Sequence, residues 1–376
     1  MRKICYISGT RADFGLMKST LQSIDKNQDL DLIVIITGMH LLKKYGNTWK
    51  EVVDSGFNIA GKVKVNLSGS SGAEMSIAIG KQIIELTGML QAFKPDMLLL
   101  LGDRGEMLAG AIAAMHLNIP ITHIHGGELS GSIDEPVRHA ISKLSHYHFT
   151  ASKKSRLRLI KMGELPSNIF VTGAPGLDEI KNTELLERNL ILSKYELVSK
   201  DPYLLFLFHP VTQQIETIKN QIDTIMKSLL KSQLQILVIM PNADSGAEII
   251  SNAIREYKNL DRIKIVIHAP RLEFLSLIAH AEILIGNSSS GIIEAATLNT
   301  PVLNLGDRQK KRERNLNIID VDIISSDIDH ALSDARKMQK GPWSNVYGDG
   351  NSTYKIIKLL TELSLDSKVM EKNNAY

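Results

Sequence analysis

A single cysteine, Cys5, stands in the 376-residue chain. No disulfide framework is possible, and a reducing compartment is expected. No apolar run approaches the ~20 residues of a membrane span. The apolar stretch behind the N-terminal "MRK" is cut short by Gly9-Thr10-Arg11, too early for a secretory leader, so a cytoplasmic protein is the expectation. An excess of one charge is also missing: 44 Lys and Arg against 41 Asp and Glu leave a net +3. That gives no electrostatic footprint for nucleic acid. No GxGxxG follows the first apolar run and no GxxxxGK[ST] occurs, which disfavours NAD and P-loop chemistry. GxSxG is absent, and with it the serine-hydrolase elbow. The histidines lack a zinc-type spacing, so neither metal nor cofactor is expected.

What is present is an alternation. Hydrophobic content of 43% with 23% charge fits a folded, water-exposed protein, and the length suggests two domains. Short apolar runs, such as "KICYIS", "LDLIVIITG", "DMLLLLGD", "ITHIH", "NIFVTG", "YLLFLFH", "LQILVIMP", "IKIVIH", "EILIGN" and "PVLNLG", are separated by longer helical patterns. Strands this continuously apolar are buried on both faces, and strand–helix alternation gives doubly wound α/β architecture. The rhythm halts between Gly173 and Tyr203, the expected seam. This places an N-terminal Rossmann-like domain at 1–173, a second at 174–350, and a C-terminal helix with a loose tail at 351–376.

In open α/β sheets, ligands bind beyond the carboxyl ends of the strands. There the first half carries "SGTRADFG", "TGMHLLKKYG", "GDRGE" and "HIHGGELSGSIDEPVRH". The second half carries "HPVTQQ", "PNADSG", "GNSSSGIIE" and "GDRQKKRER". A ligand cleft between the halves is the expectation. Ser288 and Ser289 fall at a helix mouth suited to a diphosphate, with Glu294 one to two turns on for ribose hydroxyls. An N-capping serine and an ordinary helix acid would read the same way. Arg308 offers a bidentate cation.

The first half reads as chemistry. Asp103 emerges from an apolar wall of four leucines, a setting that suits an acid/base group. His123 and His125 share a face if their strand stays extended. Asp134, Glu135 and Arg138 open the next helix, Asp134 and Arg138 four apart on one side.

Taken in order from about Lys3 to Arg312, these segments resemble the hydrolysing UDP-N-acetylglucosamine 2-epimerases that feed sialic-acid synthesis. The resemblance implies two Rossmann-like domains as in GT-B nucleotide-sugar enzymes, with the C-terminal helix crossing back to the first. It implies anti elimination of UDP across carbons 1 and 2, then hydration to a free 2-epimerised sugar, without a cofactor. It implies homodimers or homotetramers. By matching positions, Asp103 and Asp134 are catalytic carboxylates, supported by Arg138 and Arg104. Arg11, His209, Ser288, Ser289 and Arg308 surround UDP, Asn242 is a polar cleft position, Glu294 the ribose-binding acid, and Asp13 part of the first loop. Many members read "HIEGG" where this chain reads "HIHGG". His125 then replaces a glutamate as acid/base partner, or Glu128 or Glu135 reaches in. The substrate is UDP-N-acetylglucosamine or its 4-acetamido-6-deoxy relative, UDP-N,N'-diacetylbacillosamine. A non-hydrolysing 2-epimerase and a UDP-sugar-binding regulatory protein remain as alternatives.

Overall fold

The structure, a computed structural model, describes residues 1–43, 46–65, 72–130, 134–241 and 246–375. They fall into two compact units, one of residues 1–129, 134–179 and 347–375, the other of residue 130 and 180–346.

The first unit is built on strands β1 (Arg2–Ser8), β2 (Leu30–Ile36), β3 (Ile59–Lys62), β4 (Met97–Leu101), β5 (Ile121–Ile124), β6 (Tyr147–Thr150) and β7 (Ile169–Val171). They pair in the order β3-β2-β1-β4-β5-β6-β7, every neighbour parallel. The continuous apolarity of β1 and β4 follows from burial on both faces. Ile4, Tyr6, Met97, Leu99 and Leu101 face one core, while Cys5, Ile7, Leu98 and Leu100 face another across the sheet. Burial alone pushes the Cys5 thiol up to about 12, so this lone cysteine is inert packing.

The second unit repeats the plan with β8 (Tyr203–Leu207), β9 (Gln235–Ile239), β10 (Ile263–Val266), β11 (Ile283–Gly286), β12 (Val302–Leu305) and β13 (Ile318–Val321). Their order is β10-β9-β8-β11-β12-β13, again all parallel. In each sheet the order reverses beside the unit's first strand, so β1/β4 and β8/β11 are the switch points where such sheets bind ligands.

Three strands were not legible as apolar runs: β3, β6 and β13. "IAGK" and "IIDV" form sheet edges and need bury only part of their surface. "YHFT" hides a histidine that no hydropathy pattern would put in a fully buried interior strand. The segment 174–202 holds two short helices, Gly176–Asn182 and Arg188–Lys194.

The Ser352–Glu362 helix packs Ile356 and Leu360 into the first unit's core. The tail beyond it, expected to be loose, is pinned. Tyr147 donates to the Ser364 carbonyl at 2.6 Å, Leu365 and Val369 rest on the core, and Asp366 caps a last helical turn, Ser367–Met370. A "DSKVMEKNNAY" composition conceals this because its anchors are single side chains and not a periodic face. Among the described residues no helix is long and apolar enough to cross a membrane.

Candidate functional site

In the first unit the chain leaves β1 through Gly9 and Thr10 into the Arg11–Asp25 helix. Thr10 and Asp13 close a capping box, each side chain accepting from the other's backbone N–H. Asp13 is buried and saturated. One oxygen accepts from the Gly9 and Thr10 amides at 3.0 and 2.6 Å, and the other from Ser8 Oγ at 2.6 Å and Tyr6 OH at 3.2 Å. Its observed part is to shape the first loop. Arg11 opens the helix beside it, 3.0 Å from Glu51. His40, unnoticed in the sequence, braces the same loop through Ser8 Oγ at 3.0 Å and Thr48 Oγ1 at 2.8 Å. Burial lowers its pKa.

At the end of β4, Gly102 (φ +81°) turns the chain and presents Asp103 with 23% of its side chain exposed. Its carboxylate receives Arg138 Nη2. Arg138 comes from the Asp134–Leu144 helix and is 1% exposed, its second terminal nitrogen donating to the Glu128 carbonyl at 2.9 Å. Buried guanidinium demands such partners, because an uncompensated charge there is costly. Asp134 begins this helix, with Glu135 after it, and Arg104 is the N-cap of the Gly105–His116 helix.

The two histidines of β5 part company. The strand stops at Ile124 and His125 enters the left-handed region at φ +65°, so the shared face does not form. His123 is wholly buried, its Nε2 2.7 Å from the Gly102 carbonyl and its Nδ1 3.0 Å from Ser142 Oγ. Burial pulls its pKa down to about 3. It is therefore neutral at pH 7, donating from Nε2 to Gly102 and accepting the Ser142 hydroxyl at Nδ1. His125, 8% exposed, sets Nδ1 3.1 Å from Glu128 Oε1, while its Nε2 has no hydrogen-bond partner among the described residues. His125 thus sits in a backbone region uncommon for a residue with a Cβ, its ring held on one side by Glu128.

In the second unit, Gly286 ends β11 at φ +142°, and a Cβ there would lie 1.8 Å from the Leu207 carbonyl oxygen. Only glycine fits that approach to β8. Asn287 then laces the strand ends together. Its side chain accepts from the His209 amide at 2.7 Å and donates to the His209 carbonyl at 2.8 Å. Arg308 and Gln309 both donate to the Asn287 carbonyl, at 3.0 and 3.1 Å. Ser288 is the N-cap of the five-residue Ser289–Ile293 helix and accepts from the Ser290 amide; Ser289 is its first residue. Glu294 follows, 3% exposed, and takes Arg271 Nη2 at 2.7 Å. Sequence reasoning missed Arg271 and Asn287, whose neighbours carry no motif that singles them out. Asn242 lies outside the described residues. Among the described residues no three His, Cys, Asp or Glu side chains gather where they could hold a metal.

Each unit thus collects its candidate residues at its own switch point: a strand-end carboxylate with a buried arginine in the first, small residues with a buried Glu–Arg pair in the second. The family profile described as UDP-N-acetylglucosamine 2-epimerase matches residues 22–361. The chain is 45% identical over 376 residues, 100% of both chains, to a protein of Legionella pneumophila named UDP-N,N'-diacetylbacillosamine 2-epimerase (hydrolyzing). It is 35% identical to a UDP-N-acetylglucosamine 2-epimerase of Neisseria meningitidis, covering 94% of this chain and 92% of that one. The fold is similar to that of a Neisseria meningitidis UDP-GlcNAc 2-epimerase crystallised with UDP-GlcNAc, with a TM-score of 0.81 at 20% identity over 96% of this chain and 100% of that one.

Proposed function

Because this chain belongs to the UDP-N-acetylglucosamine 2-epimerase family, we propose that it is a hydrolysing member, releasing UDP and a free 2-epimerised mannosamine-type sugar for nonulosonic (sialic- or legionaminic-type) acid synthesis. The substrate we put first is UDP-N,N'-diacetylbacillosamine, on the strength of the full-length 45% identity to the Legionella pneumophila relative of that name. UDP-N-acetylglucosamine is the second candidate, since chemistry at carbons 1 and 2 is common to both.

A base removes the proton on carbon 2 as the bond from carbon 1 to the diphosphate oxygen breaks, and that oxygen leaves with the electron pair. The 2-acetamidoglycal then takes hydroxide from water at carbon 1 and a proton at carbon 2 on the opposite side. Two proton-transfer groups around one ring are needed, together with donors for the departing diphosphate.

The observation that carries this reading is the set around Arg138. One buried guanidinium joins the β4-end carboxylate of Asp103 to the Glu128 backbone, beside a His125 whose Nε2 is open. We assign proton transfer at carbon 2 to His125 with the carboxylates Asp103 and Asp134, and charge stabilisation to Arg138 and Arg104. Ser288, Ser289, Arg308, His209, Asn242 and Arg11 are assigned to UDP, Glu294 to its ribose, and Asp13 to shaping the Arg11 loop. We place the enzyme in the cytoplasm as a homodimer or homotetramer, checked by light scattering on the eluted protein.

Proton NMR of reactions with each sugar nucleotide tests the activity. The expected product is a free reducing sugar with UDP. An equilibrium mixture still carrying UDP would assign the chain to the non-hydrolysing reaction, and binding without any product would make it a sugar-nucleotide sensor.

A further inference from the structure

The pinned tail ends in a buried ionic cluster that none of the candidate roles uses. Lys372 stands in the left-handed region at φ +35°, a backbone conformation that is unfavourable for a residue with a Cβ. Its side chain is only one-fifth exposed. Nζ lies 2.7 Å from Glu164 Oε2, donates to the Ser145 carbonyl, and reaches the Ser142 carbonyl at 3.5 Å. Glu164, 4% exposed, also takes His148 Nε2 at 3.0 Å and Lys143 Nζ at 2.8 Å. Burial pushes the Glu164 carboxyl up, but the three hydrogen bonds outweigh this and hold it at about 2. Around Lys372 the tail adds Asn374, which accepts from Lys143 at 2.8 Å, and the Ala375 amide, which donates to Gly163 at 2.9 Å.

The Ser142 carbonyl lies in the last turn of the Asp134–Leu144 helix, where it also takes the Ser145 amide, and the Ser145 carbonyl lies just beyond it, so the cation meets the negative end of the helix dipole. That helix carries Asp134 and Arg138. Its last turn also supplies the Ser142 hydroxyl to His123, which in turn grips the Gly102 carbonyl one residue before Asp103. Asp103 is therefore held from two sides, by Arg138 and through His123, and both routes run through the helix that Lys372 caps.

We propose that Lys372 is a positioning residue of the active site, the tail acting as a clamp that sets Asp103 and Arg138 through the end of the Asp134–Leu144 helix. This rests on the epimerase reading for its rate effect, but not for its structural effect. The test compares the full chain with Lys372→Met and Lys372→Arg, reading kcat and KM for UDP release, the Kd of UDP, thermal unfolding, and amide hydrogen exchange.

In Lys372→Met, kcat falls at least about tenfold, within the ~10²-fold cost of an ångström of misplacement. KM and UDP affinity change less than about twofold, the protein stays folded at assay temperature, and exchange quickens at Gly102 to Gly105. Lys372→Arg, which keeps a donor cation, recovers most of the rate. An unchanged kcat in Lys372→Met, or a loss that only follows the unfolded fraction, would overturn the proposal. If the unmodified chain releases no UDP from either sugar nucleotide, the functional reading fails instead. Exchange at Gly102 to Gly105 then decides the clamp: unaltered exchange in Lys372→Met would sink it, and faster exchange would keep it.

Discussion

At the residue scale the account turns on side chains held by partners of opposite charge. Asp103 cannot be moved without disturbing Arg138, whose 1% exposure leaves no water to replace a lost partner. Asp103→Asn keeps the shape and a hydrogen-bond acceptor while removing the charge and with it the proton-transfer role proposed above. Turnover is expected to fall by about 10²–10⁴-fold, with UDP affinity by calorimetry nearly unchanged. A large loss of UDP affinity would move Asp103 to a binding role. Arg271 belongs to the same argument in the second unit. Among the described residues it supplies the ion pair to Glu294, which is 3% exposed, so Arg271→Met leaves a buried carboxylate short of a charge-assisted bond. UDP affinity should drop about tenfold, as it should in Glu294→Ala; an unchanged dissociation constant would remove the pair from the nucleotide site. Residues of this kind were half legible. Asp103 and Glu294 stood out because each ends or follows an apolar run, whereas Arg271 sits in "APRLEF", where nothing but the fold brings it to Glu294.

At the scale of elements, strand ends decide what the sequence can reveal. Runs apolar at nearly every interior position announced β1, β4, β8, β9 and β11, since both faces of a parallel sheet are covered. The edge strands β3 and β13, and β6 with them, did not announce themselves, and neither did the break at His125. Nothing in "ITHIHGG" says that the strand stops at Ile124, because the stop comes from backbone conformation and not from hydropathy. Gly286 is the opposite case, a position whose identity the structure dictates. Gly286→Ala would drive a Cβ to 1.8 Å from the Leu207 carbonyl, prising β11 from β8. A loss of about 3 kcal/mol or more is expected, measured by urea unfolding. A stability within error of the parent would contradict the β8–β11 packing described here.

At the scale of the whole molecule, the buried histidines make the fold sensitive to acid. Burial first, and for His146 the nearby Lys372 charge next, bring His123 to about 3 and His146 to about 4, both below the ordinary 6.5. Below pH 6.5 the unfolded chain takes up these protons before the folded one does. Stability is therefore fully present above 6.5 and lost as pH falls towards 4 and 3. Glu164 acts in the same direction lower down, between 4.5 and about 2. Urea unfolding at pH 7, 5.5 and 4.5 should show a steady decline, shallower in His146→Gln, whose side-chain oxygen can still accept the Ile121 amide now bound at 3.0 Å. Identical slopes would show that His146 does not carry that part of the decline.

The central claim is proton removal and return at the carbon beside the anomeric centre. Its most direct measurement is conversion of UDP-N,N'-diacetylbacillosamine, with UDP-N-acetylglucosamine in parallel, in deuterium oxide. Mass spectrometry and NMR then read the isotope on the product. Free UDP and a reducing sugar carrying one deuterium on carbon 2, in the inverted configuration, are expected. A sugar released at a comparable rate with hydrogen retained on carbon 2 would contradict the claim.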